Sequence, residues 1–119
     1  MSNTNPSTME VITRISLLTA HIEETKIVER VEIKQIKFLP NQKSGLHLHP
    51  CPVVGIVVKG SIVFGVEGQP VSVLKSGDAF FEPANTNVPQ FDAQEKGATF
   101  IACYLLGPGE NCLIKMLNS

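Results

Sequence analysis

The sequence predicts an all-β fold. β-branched residues are dense, apolar residues seldom recur at the three- and four-residue spacing of a helix, and Gly or Pro punctuates the chain at short, regular intervals. Many short strands separated by such turns favour a sandwich or barrel.

Taken in order, the first candidate strand is VITRISLL (11–18), β-branched and alternating. HIEETKIVER (21–30) is the one stretch with some helical character, and RVEIKQIKFL (30–39) is the next candidate strand. GLHLH (45–49) is a short strand. VVGIVVK (53–59) and SIVFGVE (61–67) flank Gly60, and PVSVLK (70–75) follows the turn EGQP at Gly68; both glycines stand where a hairpin needs a positive φ. After KSGD, with Gly77, come AFFE (79–82), VPQFDA (88–93), ATFIACYLL (98–106) and, beyond the tight reversal GPGEN, NCLIKML (111–117).

The chain has 119 residues, enough for one hydrophobic core, so the expected organisation is a flexible tail over 1–8, MSNTNPST, and a single domain over 9–119. Hydrophobic residues make up 43% and the formal charge is −1, so the basic footprint of a nucleic-acid binder is missing. No apolar run reaches the roughly 20 residues of a membrane span, and the N-terminus lacks the pattern of a secretory signal. Cys51, Cys103 and Cys112 are odd in number and form no CxxC pair, which suits a reducing compartment. The expectation is a cytoplasmic protein without nucleic-acid or membrane partners. Cys103 reads as a buried small hydrophobe; Cys51, two residues after His49, has a minor claim as a redox-sensitive thiol or extra ligand.

The chemistry concentrates in GLHLHPCPVVG (45–55). His47 and His49 are separated by one residue, so on a strand both rings project to one side. That is half of a metal site.

From Pro40 to about Asp92 the chain resembles the cupin superfamily. His47 and His49 match the HxH pair of its first motif, Gly60 matches that motif's closing glycine, and GDAFFEP (77–83) matches the second motif without a gap. The resemblance implies a small single-domain cupin, an RmlC-like double-stranded β-helix or jelly-roll barrel. Asn41 and Asn85 stand where the motifs have glycine, a mild change because asparagine best tolerates a left-handed backbone. Val53 stands where the first motif has its metal-binding glutamate, and Val88 where the second has its histidine. In relatives with a metal those four positions hold one divalent ion such as Fe, Mn, Ni or Zn; two of the four remain here.

Two registers are open for the third ligand. If the loop PANTN is two residues longer than usual, Gln90 rather than Val88 takes the histidine position, and both share a face by strand parity. Asp92 shares it too if no bulge intervenes, which would give a pair of histidines with one carboxylate. The expected metal set is therefore His47, His49 and Gln90, with the ion weakly held or absent. The expected pocket is apolar, lined by Val53, Val88, Phe80 or Phe81, Phe91 and Asp92, with a polar pole at the histidines. No arginine cluster suits a phosphorylated or polycarboxylate substrate, which disfavours sugar-nucleotide epimerases.

Two functions follow. One is a barrel that binds a small molecule, its metal chemistry reduced or lost; the other is a divalent-metal-dependent oxygenase, isomerase or decarboxylase of a small organic substrate with His47 and His49 as ligands. Metal-free general-base catalysis by a histidine ranks below both, for want of a nearby carboxylate other than Asp92. A homodimer is expected, with residues 9–20 adding a strand across a two-fold axis.

Overall fold

The computed structural model describes residues 11–111 and 114–117. All regular structure among them is β. The strands are β1 (Arg30–Phe38), β2 (His47–Leu48), β3 (Val53–Gly65), β4 (Ser72–Lys75), β5 (Ala79–Glu82), β6 (Gln90–Leu106) and β7 (Lys115–Met116). The tail at 1–8 and Cys112 lie outside the described residues.

Two strands are longer than the sequence suggests. The break expected at Gly60 is absent: 53–59 and 61–67 merge into the 13-residue β3, and 88–93 and 98–106 into the 17-residue β6. The register between them slips at Val57/Lys59 and again at Gly60/Ile62. Extra residues at such slips bend a strand and increase its twist, so one strand passes from one sheet of the barrel into the other without a turn. The first halves of β3 and the second half of β6 lie in an antiparallel sheet of order β1-β6-β3-β5, while Ser61–Phe64 pairs with β4. Gly60 has φ 78° and the Cβ it lacks would lie 2.1 Å from the Gly97 carbonyl oxygen, so only glycine fits this crossing.

β2 and β7 form a second small sheet, and a single antiparallel bridge links His47 to Val88. The core between the layers is apolar, with Val57, Ile62, Leu106 and Val88 fully buried and Phe38, Phe64, Phe80, Phe91 and Phe100 packed edge to face. Asn41 (φ 61°) and Asn85 (φ 54°) are the two non-glycine residues with a left-handed backbone among those described, as their motif positions predict.

Other expectations fail. Residues 11–18 belong to no strand, and 21–30 form no helix. Cys103 is half-buried rather than interior, because β6 places Ala102 and Tyr104 inward and Cys103 on the outer face.

Candidate metal centre

His47 begins β2 and His49 follows it, so strand alternation sends both rings into the barrel, where they are 3% and 6% exposed. His47 Nδ1 lies 2.9 Å from the Gly45 carbonyl oxygen and donates to it, which leaves Nε2 with its lone pair toward the cavity. Gly45 has φ 78°, a backbone turn that brings its carbonyl round to the ring two residues on.

Opposite the rings stands a residue the sequence reading did not select. Glu82 ends β5, pairs with Val53 in the ladder and is 4% exposed. Its Oε1 lies 3.4 Å from His47 Nε2 and 3.4 Å from His49 Nε2, so the carboxylate sits astride the pair. At that distance and angle neither contact is a good hydrogen bond, and Oε1 is buried without a hydrogen-bond partner.

Burial is the largest single influence on Glu82 and pushes its carboxyl up, yet the two imidazoles together outweigh it and hold the group below its ordinary value. For His47 burial again acts first, lowering its affinity for a proton; Glu82 and the Gly45 carbonyl reverse that and raise it above the ordinary imidazole value. The two shifts are sides of one attraction: the carboxylate favours a proton on His47, and the imidazoles favour the ionised form of Glu82.

The donor atoms of His47, His49 and Glu82 all lie within 4.8 Å of one another. Ligands about 2.1 Å from one ion at a tetrahedral angle stand about 3.4 Å apart, the spacing of the carboxylate oxygen from each ring nitrogen. An ion there would take up the orphaned Oε1, so the residues fit a divalent metal. Two imidazoles and one carboxylate are also the donor set of open-sided non-heme iron sites.

The carboxylate missing at position 53 is thus supplied from the neighbouring strand. Val53 lies between Glu82 on β5 and Tyr104 on β6 and presents hydrocarbon to the cavity, as expected. Val88 is fully buried opposite His47. Gln90 opens β6 opposite Gly65 and is not part of the cavity wall; Phe91 is, because the inward parity passes from Val88 to Phe91 and Ala93 across Pro89–Gln90. Asp92 also lies off the wall, accepting a 3.3 Å hydrogen bond from the Ser44 amide. Of the two adjacent phenylalanines, Phe80 faces the cavity and Phe81 the outside. Cys51 is buried in the core and is not one of the converging donors. Replacing Gln90 by Ala is therefore expected to leave metal content unchanged by elemental analysis, whereas a ligand role would show as loss.

The cavity holds about 290 Å3. Phe38, Phe80, Phe91 and Phe100 form its apolar wall, Tyr104 stands edge to face against His49 with ring centroids 5.6 Å apart, and Lys34, exposed on β1, lines the mouth.

Comparison with known proteins agrees with this architecture. Residues 35–88 match the family model described as "Cupin domain". Among solved structures, an oxalate oxidase superposes with a TM-score of 0.63 at 22% identity, covering 73% of this chain and 46% of the other. An RmlC-like cupin from Shewanella frigidimarina gives 0.58 at 24% identity over 66% of this chain and 68% of the other, and oxalate decarboxylase from Bacillus subtilis 0.67 at 18% over 76% and 24%. The chain therefore spans less than half the length of the two oxalate-acting proteins. No curated protein sequence matches it. Its motif register, its barrel and these structural likenesses agree, and the chain carries a cupin domain folded as an RmlC-like barrel, with inward-facing His47, His49 and Glu82 able to hold a metal.

Proposed function

We propose that this cupin is a divalent-metal-dependent enzyme, an oxygenase or decarboxylase of a small organic acid, with His47, His49 and Glu82 as protein ligands. The observation that carries the reading is the convergence of three buried donors on one point with an oxygen left unpartnered. A metal bound there would supply Lewis acidity and open positions for substrate or dioxygen.

The chain's own groups favour an anion. Two neutral imidazoles and one carboxylate balance only one charge of a divalent ion, so the site keeps a net positive charge in a largely apolar cavity. Lys34 adds a second positive charge at the mouth. A molecule with one carboxylate toward the metal and a short apolar body against Phe80, Phe91 and Phe100 fits both the volume and the wall. The oxalate-acting proteins of similar fold are consistent with such a substrate class. Lys34→Ala is expected to weaken binding of small aliphatic carboxylates about two- to fivefold, an effect that shrinks as salt is raised because the ammonium is exposed. Titration of a carboxylate series into the metal-loaded protein measures it.

The direct test is elemental analysis of protein purified without an affinity tag, followed by dialysis against chelator. Near-stoichiometric metal supports the reading; a protein that takes up no iron, manganese, nickel or zinc sinks it. A second reading, a ligand-binding barrel without metal chemistry, is favoured by the hydrocarbon at Val53 and Val88. It requires that small molecules bind equally well to the chelator-treated protein.

A further inference from the structure

The strand ladder shows where the cavity's volume comes from. On the inner face of the β1-β6-β3-β5 sheet the side chains line up in rows across the strands, and successive rows stand about 7 Å apart along each strand. At the histidine end, one row holds Tyr104, Val53 and Glu82. Two rows on come Ile36, Phe100 and Val57. Both rows carry large groups. The row between them runs Lys34, Ala102, Gly55, Phe80, and its two middle positions carry only a methyl group and a hydrogen.

These two small residues are not equivalent. The Cβ that Gly55 lacks would lie 2.4 Å from Phe80 Cζ, so the Phe80 ring already occupies the space above Gly55. Above Ala102 the space belongs to the cavity, whose wall includes Ala102 itself with Tyr104 and Phe100 on either side along β6. A buried alanine ordinarily lets the facing layer close down on it, because interiors pack to the density of organic crystals. Here the layers stay apart and enclose about 290 Å3. The result is a slot about one side chain wide, closed at Phe80, open at the exposed Lys34 on edge strand β1, and flanked along one side by the row that carries Glu82.

We propose that Ala102 is the specificity-determining residue of this cavity: the straight or flat apolar body of a small monocarboxylate lies in the slot above its methyl group, between Tyr104 and Phe100, in the place a larger side chain at 102 would fill. The proposal rests on the reading of the cavity as a metal and carboxylate site and adds which part of the wall measures the substrate. A chain long enough to pass Lys34 leaves the slot for solvent, so the preferred body is short.

The test uses the full chain and variants checked for native circular dichroism. Titration calorimetry of the metal-loaded protein with acetate, propanoate, butanoate and pentanoate reads the slot as a gain in affinity per CH2. In the parent each CH2 is expected to tighten binding about threefold, or about thirtyfold from acetate to pentanoate. Ala102→Leu puts an isobutyl group into the slot and should reduce that gain to about threefold or less over the whole series, with acetate binding and metal affinity unchanged. Cys103→Leu adds bulk at the next residue, on the outer face of β6, and should keep the full gain. Ala102→Val should fall between parent and Ala102→Leu, and it carries the comparison if the leucine variant loses its native spectrum. The same titrations with ethanol to 1-pentanol on chelator-treated protein read the slot without a metal. A protein that takes up no metal, yet whose alcohol gain is flattened by Ala102→Leu, refutes the metal-dependent enzyme and supports the slot. A parent without a gain per CH2, a gain that survives Ala102→Leu, an equal loss in Cys103→Leu, or acetate binding lost along with pentanoate binding would each overturn the proposal.

Discussion

Replacing Glu82 by Gln is expected to reduce metal affinity about a hundredfold or more, read by competition with a chromogenic chelator. The substitution keeps the shape and removes the one negative charge facing two imidazoles in a buried site, and loss of one partner from a buried charged set costs about 3–5 kcal/mol. A companion pair separates the charge from the position. Val53 lies directly across the ladder from Glu82 and also lines the cavity, so the double variant Val53→Glu with Glu82→Val moves the carboxylate to the neighbouring strand without changing its count. It should regain a measurable part of the lost affinity, while Glu82→Val alone should not. Unchanged metal binding in Glu82→Gln would remove Glu82 from the ligand set, and with it the proposed enzyme.

Gly60→Ala is expected to destabilise the protein by about 3–5 kcal/mol, out of a total near 5–15 for a domain of this kind. Two costs combine: φ 78° disfavours any L side chain by about 1–2 kcal/mol, and the new methyl would overlap the Gly97 carbonyl, a backbone atom that cannot swing aside. Gly68→Ala supplies the control. Gly68 has φ 83° but open space around the absent Cβ, so only the conformational cost of about 1–2 kcal/mol applies. Thermal unfolding should place Gly60→Ala roughly 10 °C or more below the parent, with Gly68→Ala between them. Equal shifts for the two would mean that contact with Gly97 is not tight.

Much of this architecture is legible in the sequence. Regular turn signals and β-branched runs give the strands, and AFFE is bounded to the residue. Asn41 and Asn85 follow from motif position, because a left-handed backbone has few acceptable residues. His47 and His49 follow from alternation alone.

Glu82 escapes for a specific reason. AFFE carries phenylalanine on both faces, so the pattern does not say whether Phe80 and Glu82 or Ala79 and Phe81 point inward. The choice is made by the cross-strand pair with Val53, which lies 29 positions earlier in the chain. A search confined to the family's ligand positions sees valine at 53 and infers loss, whereas the charge is present one strand away. Gln90 fails through the opposite error, the assumption that a strand keeps its parity from Val88 onward across Pro89. Nor does β-branched composition alone show that 11–18 pairs with no strand of the barrel.

The two long bent strands also have a temporal consequence. β3 and β6 each serve both layers, and β6 does not end until Leu106. During synthesis, β3 can pair with β4 and β5 early, but neither layer closes before the last third of the chain has left the ribosome. Until then the phenylalanine-rich interior is open to solvent or to a chaperone, and His47, His49 and Glu82 are not yet held in one cavity. An ion held by His47, His49 and Glu82 would therefore be taken up late in the life of each newly made molecule and would not be a nucleus around which it folds.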